Sequence, residues 1–372
     1  MELIRILHVV SSLNKSSGIM SVIMNWYRHI NRENVQFDFL YGIEKLNSYK
    51  DEIQAMGGRV YYFPMPRVIT YFSFKAGIRV FFISHEKEFK VVHLHEILLG
   101  NIILPLAKKY GIQHLIIHSH STKFSSIFLK SIRNRLLCLR LNRKATLYFA
   151  CSRQAGIFLF GRKHVRNDDI HIVHNAIDCC IYRYNPLKRE EIREELGIKN
   201  NLVIGHVGRF STEKNHIFLI KVFENIISTN KNAKLLLVGD GPLVDVIVEE
   251  VKKKGIEEAV IFYGKSNKVH DLLQAMDVFV LPSFFEGLPV VLVEAQAAGV
   301  PCVVSDTVSE EAKLVNDLWV GCSLKQSIQE WIDVIVEVSL NSRKDTYLEI
   351  RKKGYDINDA TKVLEDFYLS LK

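Results

Sequence analysis

Short runs of β-branched and aromatic residues alternate with longer stretches of helical hydrophobic periodicity along the first half of the chain. Short apolar runs bounded by turn residues are typical of strands that are buried on both faces. The predicted strands are Leu3–Val10, Phe37–Tyr41, Arg59–Phe63, Val91–His95, Leu115–Ser119 and Leu147–Cys151. Strands that alternate with helices predict a parallel sheet with helices on both sides.

The same alternation resumes after residue 201, and glycines follow several of the predicted strands. These strands begin at Leu202 and continue with Lys234–Val238, Val260–Tyr263, Val278–Leu281 and Val303–Ser305. Residues 183–201 are rich in Arg, Lys and Glu, and we interpret them as a short helix and a linker. The pattern therefore predicts two doubly wound α/β domains, residues 1–182 and 202–353.

Residues 277–301 predict a strand, a tight turn, a helix and a second turn. Gly287 lets the turn bend closely, Pro289 suits the first turn of a helix, and Gly299 is typical of a helix end. A strand that leads through a glycine turn to a helix N-terminus is where α/β proteins bind phosphorylated ligands. Glu286 lies in this turn, and Glu294 lies eight positions later on the helix.

The stretch from Pro282 to Glu294 resembles the Glu-x7-Glu signature of the family-4 retaining glycosyltransferases. Residues 208–215 are similar to the Gly-Arg-x4-Lys-Asn segment of that family, and residues 175–178 to its Asn-Gly-Ile-Asp segment, with Ala176 in place of glycine. The resemblance implies the GT-B fold, in which two Rossmann-like doubly wound domains face each other across a cleft. It also implies that a C-terminal helix, within residues 354–372, crosses back to the first domain.

Two cations beside a helix N-terminus, Arg209 and Lys214, form a clamp suited to a diphosphate, because arginine offers a planar fork and lysine a point charge. The resemblance implies that Glu286 holds sugar hydroxyls and Glu294 the ribose of a nucleotide diphosphate sugar, which we expect to be a UDP-sugar. Backbone N–H groups at Gly18 would add to the anion site. The remaining donor-binding candidates are Gly208, Gly239, Gly264, Lys265, Val269, Phe285, Gly287, Leu288 and Pro289.

Two predicted strands of the first domain end in His-x-His, at His93 and His95 and at His118 and His120. In the family a histidine at the second of these strand ends lies close to the reacting sugar, and strand register assigns this role to His120, with His118 the alternative. A metal site is a competing interpretation, since His-x-His on a strand points both rings the same way. No carboxylate set completes a ligand shell and no Asp-x-Asp pair is present, so we predict that no metal or other cofactor is needed.

The acceptor is predicted to bind in the first domain, where Ser152, Asn175 and Asp178 follow predicted strand ends. Residues 1–182 carry a net charge of +13, whereas the whole chain of 372 residues carries +8. Residues 122–144 contain seven Lys and Arg, no acid and several large apolar residues, which predicts a basic amphipathic helix. Such a helix is typical of binding to an anionic membrane surface, although a solvated surface helix would show the same pattern.

The N-terminus reads as a first strand and not as a signal peptide, and the six cysteines form no Cys-x-x-Cys pair. We therefore expect a cytoplasmic protein, peripheral on the inner face of the plasma membrane. The resemblance implies a retaining hexosyltransferase in bacterial surface polysaccharide assembly, and we expect its saccharide acceptor to be lipid-linked. A nucleotide-sugar epimerase of the same fold and a non-catalytic partner subunit are the alternatives.

Nucleic acid is not expected as a partner, because the basic half lacks a recognised binding motif. NAD is not expected either, because no third glycine follows Gly239 and Gly241.

Overall fold

The computed structural model describes residues 3–124, 128–167 and 169–371. The described residues form two compact units, Met1–Ala176 with Ile357–Lys372, and Ile177–Asp356. Residues 177–201, which the sequence divides between the first domain and a linker, lie in the second unit.

The first unit contains a seven-stranded sheet in the order β3-β2-β1-β4-β5-β6-β7, and every pair of neighbours is parallel. Its strands are β1 (Ile4–Ser12), β2 (Val35–Ile43), β3 (Val60–Tyr62), β4 (Val91–Leu94), β5 (His114–Ser119), β6 (Leu147–Ala150) and β7 (Ile170–Ile172). The connecting helices are α1 (Gly18–His29), α2 (Lys50–Ala55), α3 (Tyr71–Ser84), α4 (Gly100–Lys109), α5 (Phe128–Leu137), α6 (Arg153–Phe160) and α7 (Arg162–Arg166). The strand order reverses between β1 and β4, as in a doubly wound sheet.

The second unit contains a six-stranded parallel sheet in the order β10-β9-β8-β11-β12-β13. Its strands are β8 (Leu202–Val207), β9 (Ala233–Val238), β10 (Val260–Gly264), β11 (Val278–Leu281), β12 (Cys302–Ser305) and β13 (Trp319–Cys322). Its helices are α8 (Cys179–Tyr182), α9 (Pro186–Glu195), α10 (His216–Thr229), α11 (Val244–Lys253), α12 (Val269–Ala275), α13 (Val290–Ala297), α14 (Ile328–Ser339) and α15 (Tyr347–Lys352). The sequence analysis missed β13, because a four-residue edge strand that contains Gly321 has little periodicity.

Residues 183–201 are bound to the second unit through α9. Arg189 and Arg193 on this helix form ion pairs of 2.5 and 3.2 Å with Asp277, which directly precedes β11. Arg193 also donates to the backbone carbonyl of Ala275. A carboxylate with two arginine partners and little exposure anchors α9 to the sheet, so this segment is part of the domain core and not a free linker.

The last helix, α16 (Ile357–Ser370), packs within the first unit. Glu365 accepts hydrogen bonds from the backbone N–H of Asn31 and the side chain of Asn34. The ring of Phe367 lies 5.0 Å from that of Phe149 on β6. The C-terminal residues therefore complete one face of a sheet that is formed by the first 176 residues.

The prediction of a single basic helix over residues 122–144 is wrong. The described part contains α5 and a separate 3-10 turn at Leu141–Lys144, because Arg140 between them has a φ of 57°. Ile127, one of the apolar positions of that prediction, lies outside the described residues. Large apolar side chains of this segment are exposed and not packed, namely Phe128, Leu129, Ile132, Leu136, Leu137 and Leu139. Among the described residues, no helix combines the length and apolar character needed to cross a bilayer.

Candidate active site

Glycine turns follow three neighbouring strands at the carboxyl edge of the second sheet and are joined to one another by backbone hydrogen bonds. Gly208 N donates to the carbonyl of Val238 at 2.9 Å, and Gly239 N donates to the carbonyl of Gly264 at 2.9 Å. Gly239 has a φ of +144°, and a Cβ there would lie 1.9 Å from the Gly208 carbonyl oxygen. Only glycine fits this approach, so these turns form a low, backbone-lined floor at the sheet edge.

Lys214, predicted for the diphosphate clamp, and Glu286, predicted to hold sugar hydroxyls, form an ion pair in the second unit. Lys214 Nζ lies 2.6 Å from Glu286 Oε1, and both side chains are largely buried. The loops that contain them are joined by a hydrogen bond of 2.8 Å from the Phe284 N–H to the Glu213 carbonyl. Ser283 Oγ also donates to Glu286 Oε1 at 2.6 Å. Sequence reasoning missed Ser283, although its position three residues before Glu286 in the same turn was a usable signal.

Arg209 lies in the turn after β8, and its side chain is exposed. Within the described part of the chain it forms no ion pair, which distinguishes it from Lys214. Two buried histidines, His206 and His216, lie beneath this turn. Burial lowers the pKa of His216 to about 4, and the nearby charge of Lys214 acts in the same direction. These imidazoles are therefore neutral, and the positive charge of the turn comes from Arg209 and Lys214.

Glu294 projects from the second turn of α13 and is half-buried. Tyr182 OH donates a hydrogen bond of 2.7 Å to Glu294 Oε1. Burial raises the pKa of the Glu294 carboxyl to about 7, while the hydrogen bond from Tyr182 acts in the opposite direction. Nothing in the sequence indicates that Tyr182 binds Glu294, because the two residues are 112 positions apart.

The other donor-binding candidates of the second unit lie in the same loops but differ in exposure. Lys265 is exposed, Phe285 and Gly287 are half-buried, and Leu288 is buried. Val269 is the first residue of α12, and Pro289 is the N-cap of α13 rather than a residue of its first turn. Their contacts with a donor remain predictions.

In the first unit, five histidines occupy one face of the sheet. His8 on β1 pairs in register with His93 on β4, and alternation along β4 and β5 brings His95, His118 and His120 to the same side. His8 Nδ1 lies 2.9 Å from His95 Nε2, and His95 Nδ1 lies 2.7 Å from His120 Nε2. A second chain runs from Tyr368 OH through His93, at 2.6 Å, to His118 Nδ1, at 3.0 Å. Trp26 of α1 stacks on His118, with ring centroids 5.8 Å apart.

A cavity of about 260 Å³ opens at the carboxyl ends of β4 and β5 and is lined by His120, His118, Glu96 and Ile19, among others. His120 is half-buried, whereas His118 is fully buried and bonded to His93. Of the two histidines that the sequence analysis weighed, His120 is the more accessible. Gly18 is the first residue of α1, whose N-cap Ser17 accepts a hydrogen bond from Met20 N, and no described atom crowds the position of a Gly18 Cβ.

Two groups of three histidines are close enough to be considered as metal ligands: His8, His93 and His95, and His95, His118 and His120. Three imidazoles around a tetrahedral Zn²⁺, with Zn–N distances of about 2.05 Å, would place their ligand nitrogens about 3.4 Å apart. Within these groups, His8 Nδ1 lies 2.9 Å from His95 Nε2 and His95 Nδ1 lies 2.7 Å from His120 Nε2, which are hydrogen-bond distances. The geometry fits hydrogen-bonded imidazoles better than a metal shell.

The predicted acceptor residues have local structural roles. Ser152 is the N-cap of α6 and accepts from Ala155 N, and Asp178 is the N-cap of α8 and accepts from Cys180 N. Asn175 is buried, and its Oδ1 has no hydrogen-bond partner among the described residues. Asp178 lies in the second unit, while Ser152 and Asn175 lie in the first. Their place in an acceptor site remains a prediction.

Each half of the chain matches the model of a known protein family. Residues 188–356 match the model described as glycosyl transferases group 1, and residues 16–179 match the model described as glycosyltransferase family 4. The boundary between these matches falls close to the boundary between the two units.

Comparison with individual proteins gives matches over nearly the whole chain. The putative glycosyltransferase EpsF of Bacillus subtilis is 34% identical over 98% of this chain and 96% of its own length. An Escherichia coli protein named UDP-Gal:alpha-D-GlcNAc-diphosphoundecaprenol alpha-1,3-galactosyltransferase is 24% identical over 80% of this chain and 79% of its own. Anabaena HepE, solved in complex with UDP and glucose, superposes with a TM-score of 0.77 at 20% identity, covering 99% of this chain and all of HepE, and so shares its fold.

Three findings agree on the family and the fold: the two family matches, the match to EpsF along nearly the full length, and the two doubly wound parallel sheets. The chain is therefore a member of the family-4 glycosyltransferases and has the GT-B fold.

Proposed function

We propose that this glycosyltransferase moves a sugar from a UDP-sugar to a lipid-linked saccharide with retention of the anomeric configuration, in the assembly of a bacterial surface polysaccharide. The observation that carries the proposal is the Lys214–Glu286 ion pair beside the exposed Arg209 at a glycine-lined sheet edge. A diphosphate leaving group needs fixed positive charge, and a sugar needs hydrogen-bond acceptors. This edge of the second unit supplies both.

Negative charge develops on the diphosphate as the bond to the sugar breaks, and preorganised cations lower the barrier by stabilising that charge. Arg209 has no ion-pair partner within the described residues, so its charge is available to an incoming phosphate. Lys214 is held by Glu286, and its position is therefore set before the donor arrives. Glu286 accepts hydrogen bonds from Lys214 and Ser283 at the same oxygen, Oε1. In this proposal it takes the sugar hydroxyls, Glu294 takes the ribose, and His120 contacts the sugar.

Support for the substrates comes from the relatives. HepE was crystallised with UDP, and the name of the E. coli relative states a UDP-sugar donor and a diphosphoundecaprenol-linked acceptor. An acceptor of that kind combines a saccharide, a diphosphate and a long lipid. The excess of positive charge in the first half of the chain suits the diphosphate of such an acceptor.

We propose further that the reaction needs no metal ion. Many glycosyltransferases hold a divalent cation on the diphosphate through an Asp-x-Asp pair, and this chain contains none. Arg209 and Lys214 would supply the neutralising charge instead.

The segment from Phe128 to Lys144 supports a peripheral location at an anionic membrane. Lys130, Arg133 and Arg140 are exposed beside the exposed apolar side chains of α5. A basic segment with exposed apolar side chains gains both electrostatic and hydrophobic free energy at an anionic bilayer surface. In the alternative, the apolar side of this segment packs on the domain; Leu141 does so, whereas the six apolar side chains from Phe128 to Leu139 named above are exposed.

A panel of nucleotide sugars tests the proposed donor. The correct donor should raise the melting temperature more than the matched nucleotide alone, because only it binds the sugar subsite as well. With a lipid-linked acceptor, the product linkage read by NMR should keep the configuration of the donor. An inverted linkage contradicts retention. A free altered sugar released without any acceptor would identify an epimerase and overturn the proposed transfer.

A further inference from the structure

The histidines on this face of the first unit, four of them buried and His120 half-buried, form two separate hydrogen-bonded chains, and the chain that ends at His120 has the more accessible end in the cavity. This chain, the histidine relay, consists of His8, His95 and His120. Its inner end is His8, which is fully buried against Phe37, with ring centroids 4.2 Å apart. Its outer end is His120, which lines the cavity of about 260 Å³. Three imidazoles in series are unusual inside a parallel sheet domain, where apolar residues are the rule.

If each imidazole is neutral, the protons of the relay can take only two arrangements. A neutral imidazole carries one N–H and one lone pair, so each of the two contacts needs one N–H facing one lone pair. In the first arrangement His8 donates from Nδ1 to His95, His95 donates from Nδ1 to His120, and His120 carries its proton on Nδ1. In the second arrangement all three protons sit on Nε2 and the direction of donation is reversed.

The surroundings of His8 decide between these arrangements. His8 Nε2 is buried and has no hydrogen-bond partner among the described residues. The second arrangement would place an N–H at that atom, and orphaned buried N–H groups are rare and costly. The first arrangement leaves only a lone pair there. The relay therefore runs outward, from His8 to His120.

We propose that His8 and His95 are positioning residues that hold His120 in the tautomer with its proton on Nδ1. His120 Nε2 is occupied by His95, so Nδ1 is the nitrogen left for a ligand, and it acts as a hydrogen-bond donor. Its partner is an oxygen of the sugar being transferred, and this identification of the partner rests on the proposed function. In this tautomer His120 cannot act as a general base, because the only lone pair on its ring is already bonded to His95.

The charge state of the relay agrees with this assignment. Burial lowers the pKa of His120 to about 3 and that of His95 well below its ordinary value, and the neighbouring histidines lower the pKa of His95 further. The relay is therefore neutral near pH 7. A neutral donor can bind a sugar oxygen without placing a second positive charge beside Lys123, which lines the same cavity.

The tautomers can be measured directly on the intact protein labelled with ¹⁵N in its imidazole rings. Two-bond ¹H–¹⁵N spectra distinguish an imidazole protonated on Nδ1 from one protonated on Nε2. The chain has 14 histidines, so the His120 signals are assigned as those that vanish in His120→Gln. We expect His120 to be protonated on Nδ1 at pH 7.5 without any ligand.

A pair of variants of nearly equal size tests the positioning role. Asparagine at position 95 places an amide N–H near the site of Nδ1, whereas leucine has the same shape and no donor. His95→Leu should shift His120 away from the Nδ1–H tautomer and lower kcat roughly tenfold, the effect of about 1.4 kcal/mol. His95→Asn should keep the tautomer and most of the kcat. His93→Leu is the matched control, because it removes a buried histidine two residues away that belongs to the other hydrogen-bonded chain.

Several outcomes would overturn the proposal. One is a wild-type His120 protonated on Nε2, and this result can be obtained even if neither His95 variant folds, because its assignment needs only His120→Gln. Another is the same tautomer and kcat in His95→Leu as in His95→Asn. A stoichiometric divalent metal that shifts these ring signals would show a metal site instead. The tautomer is read without substrate, so loss of the proposed transferase activity would leave this test intact.

Discussion

Lys214 Nζ lies 2.6 Å from Glu286 Oε1, so the lysine of the proposed diphosphate clamp is neutralised by the glutamate of the proposed sugar subsite. The pair joins the loop before α10 to the loop before α13. A donor that places a phosphate beside Lys214 and a hydroxyl beside Glu286 would exchange this ion pair for two new contacts. The pair thus links the binding of the two ends of a donor within one unit.

Replacing Lys214 by alanine is expected to lower turnover by roughly 10²–10³, the scale for the loss of one preorganised charge stabiliser. It should also lower the melting temperature, because the largely buried Glu286 carboxylate loses its cation. The double variant Lys214→Ala/Glu286→Gln should recover the melting temperature but not the turnover. Wild-type turnover in Lys214→Ala would contradict the clamp.

Replacing Arg209 by alanine is expected to lower turnover by a similar roughly 10²–10³ with no change in melting temperature. The side chain is exposed and has no ion-pair partner in the described ranges, so its removal leaves no buried group unpaired. Lys231, exposed and just before β9 at the opposite end of the strands, supplies the matched control, Lys231→Ala. Equal activities of the two variants would remove Arg209 from the proposed site.

The affinity for UDP is expected to depend on pH through Glu294. The pKa of its carboxyl is raised to about 7, so the ionised form, the stronger acceptor for ribose hydroxyls, is lost as the pH falls through 7. If only that form binds well, the Kd for UDP should be about tenfold higher at pH 6 than at pH 8. Calorimetric titrations at both pH values measure this, and Glu294→Gln should remove the dependence. A pH-independent Kd in the wild type would exclude the ribose role.

The same group has the opposite effect on the stability of the unliganded protein. Because the folded state raises the pKa of Glu294, the folded protein holds this proton more tightly than the unfolded chain does. Its contribution to the free energy of unfolding is present below the ordinary pKa of 4.5 and is lost as the pH rises through about 7. Melting of wild type and Glu294→Gln between pH 5 and pH 8 should therefore diverge toward the higher pH.

Activity is expected to survive EDTA, because the clamp residues replace a metal ion on the diphosphate. Initial rates measured with excess EDTA should match those measured with Mg²⁺. Complete loss of activity with EDTA, restored by Mg²⁺ or Mn²⁺, would show that the two cations are not sufficient.

Binding to anionic vesicles is expected at low salt and should be lost near 0.5 M salt, where screening acts over roughly 4–5 Å. Each cation near the surface contributes about 1 kcal/mol, so three or four facing the bilayer contribute roughly 3–4 kcal/mol. Changing Lys130, Arg133, Arg140 and Lys144 to glutamine should abolish sedimentation with the vesicles. Changing Phe128 and Leu129 to serine should weaken it, since both are 76% exposed.

The control for this experiment carries four glutamines at exposed lysines of the second unit, namely Lys221, Lys231, Lys252 and Lys253. It has the same net charge as the first variant and should sediment like the wild type. Binding of UDP should be unchanged in all of these variants. A wild type that stays in the supernatant at low salt would refute the membrane proposal.

Local patterns made the fold and the strand–turn–helix at the edge of the second sheet predictable. The strand at Val278–Leu281, the turn with Glu286 and the helix from Val290 all follow from residues within one stretch, and the structure confirms their boundaries to within one residue. The predicted helix over 122–144 failed because periodicity does not register the positive φ of Arg140. Tyr182 with Glu294, and His8 with His95, are 112 and 87 residues apart, so only the assembled sheets bring them together.

The position of α16 has a consequence for how the chain matures during translation. The first unit includes Tyr368, which bonds to His93, yet the ribosome adds Tyr368 only after the whole of the second unit. At about 5–20 residues per second, roughly 10–40 s separate the appearance of residue 176 from that of residue 368. During that interval the histidine face lacks part of its cover, while the second unit receives all of its own residues before α16 is made. A nascent chain is therefore expected to depend on chaperones at its first unit while the second unit is being made. A premature stop near residue 356 would damage the first unit, although most of that unit precedes the second unit in the chain.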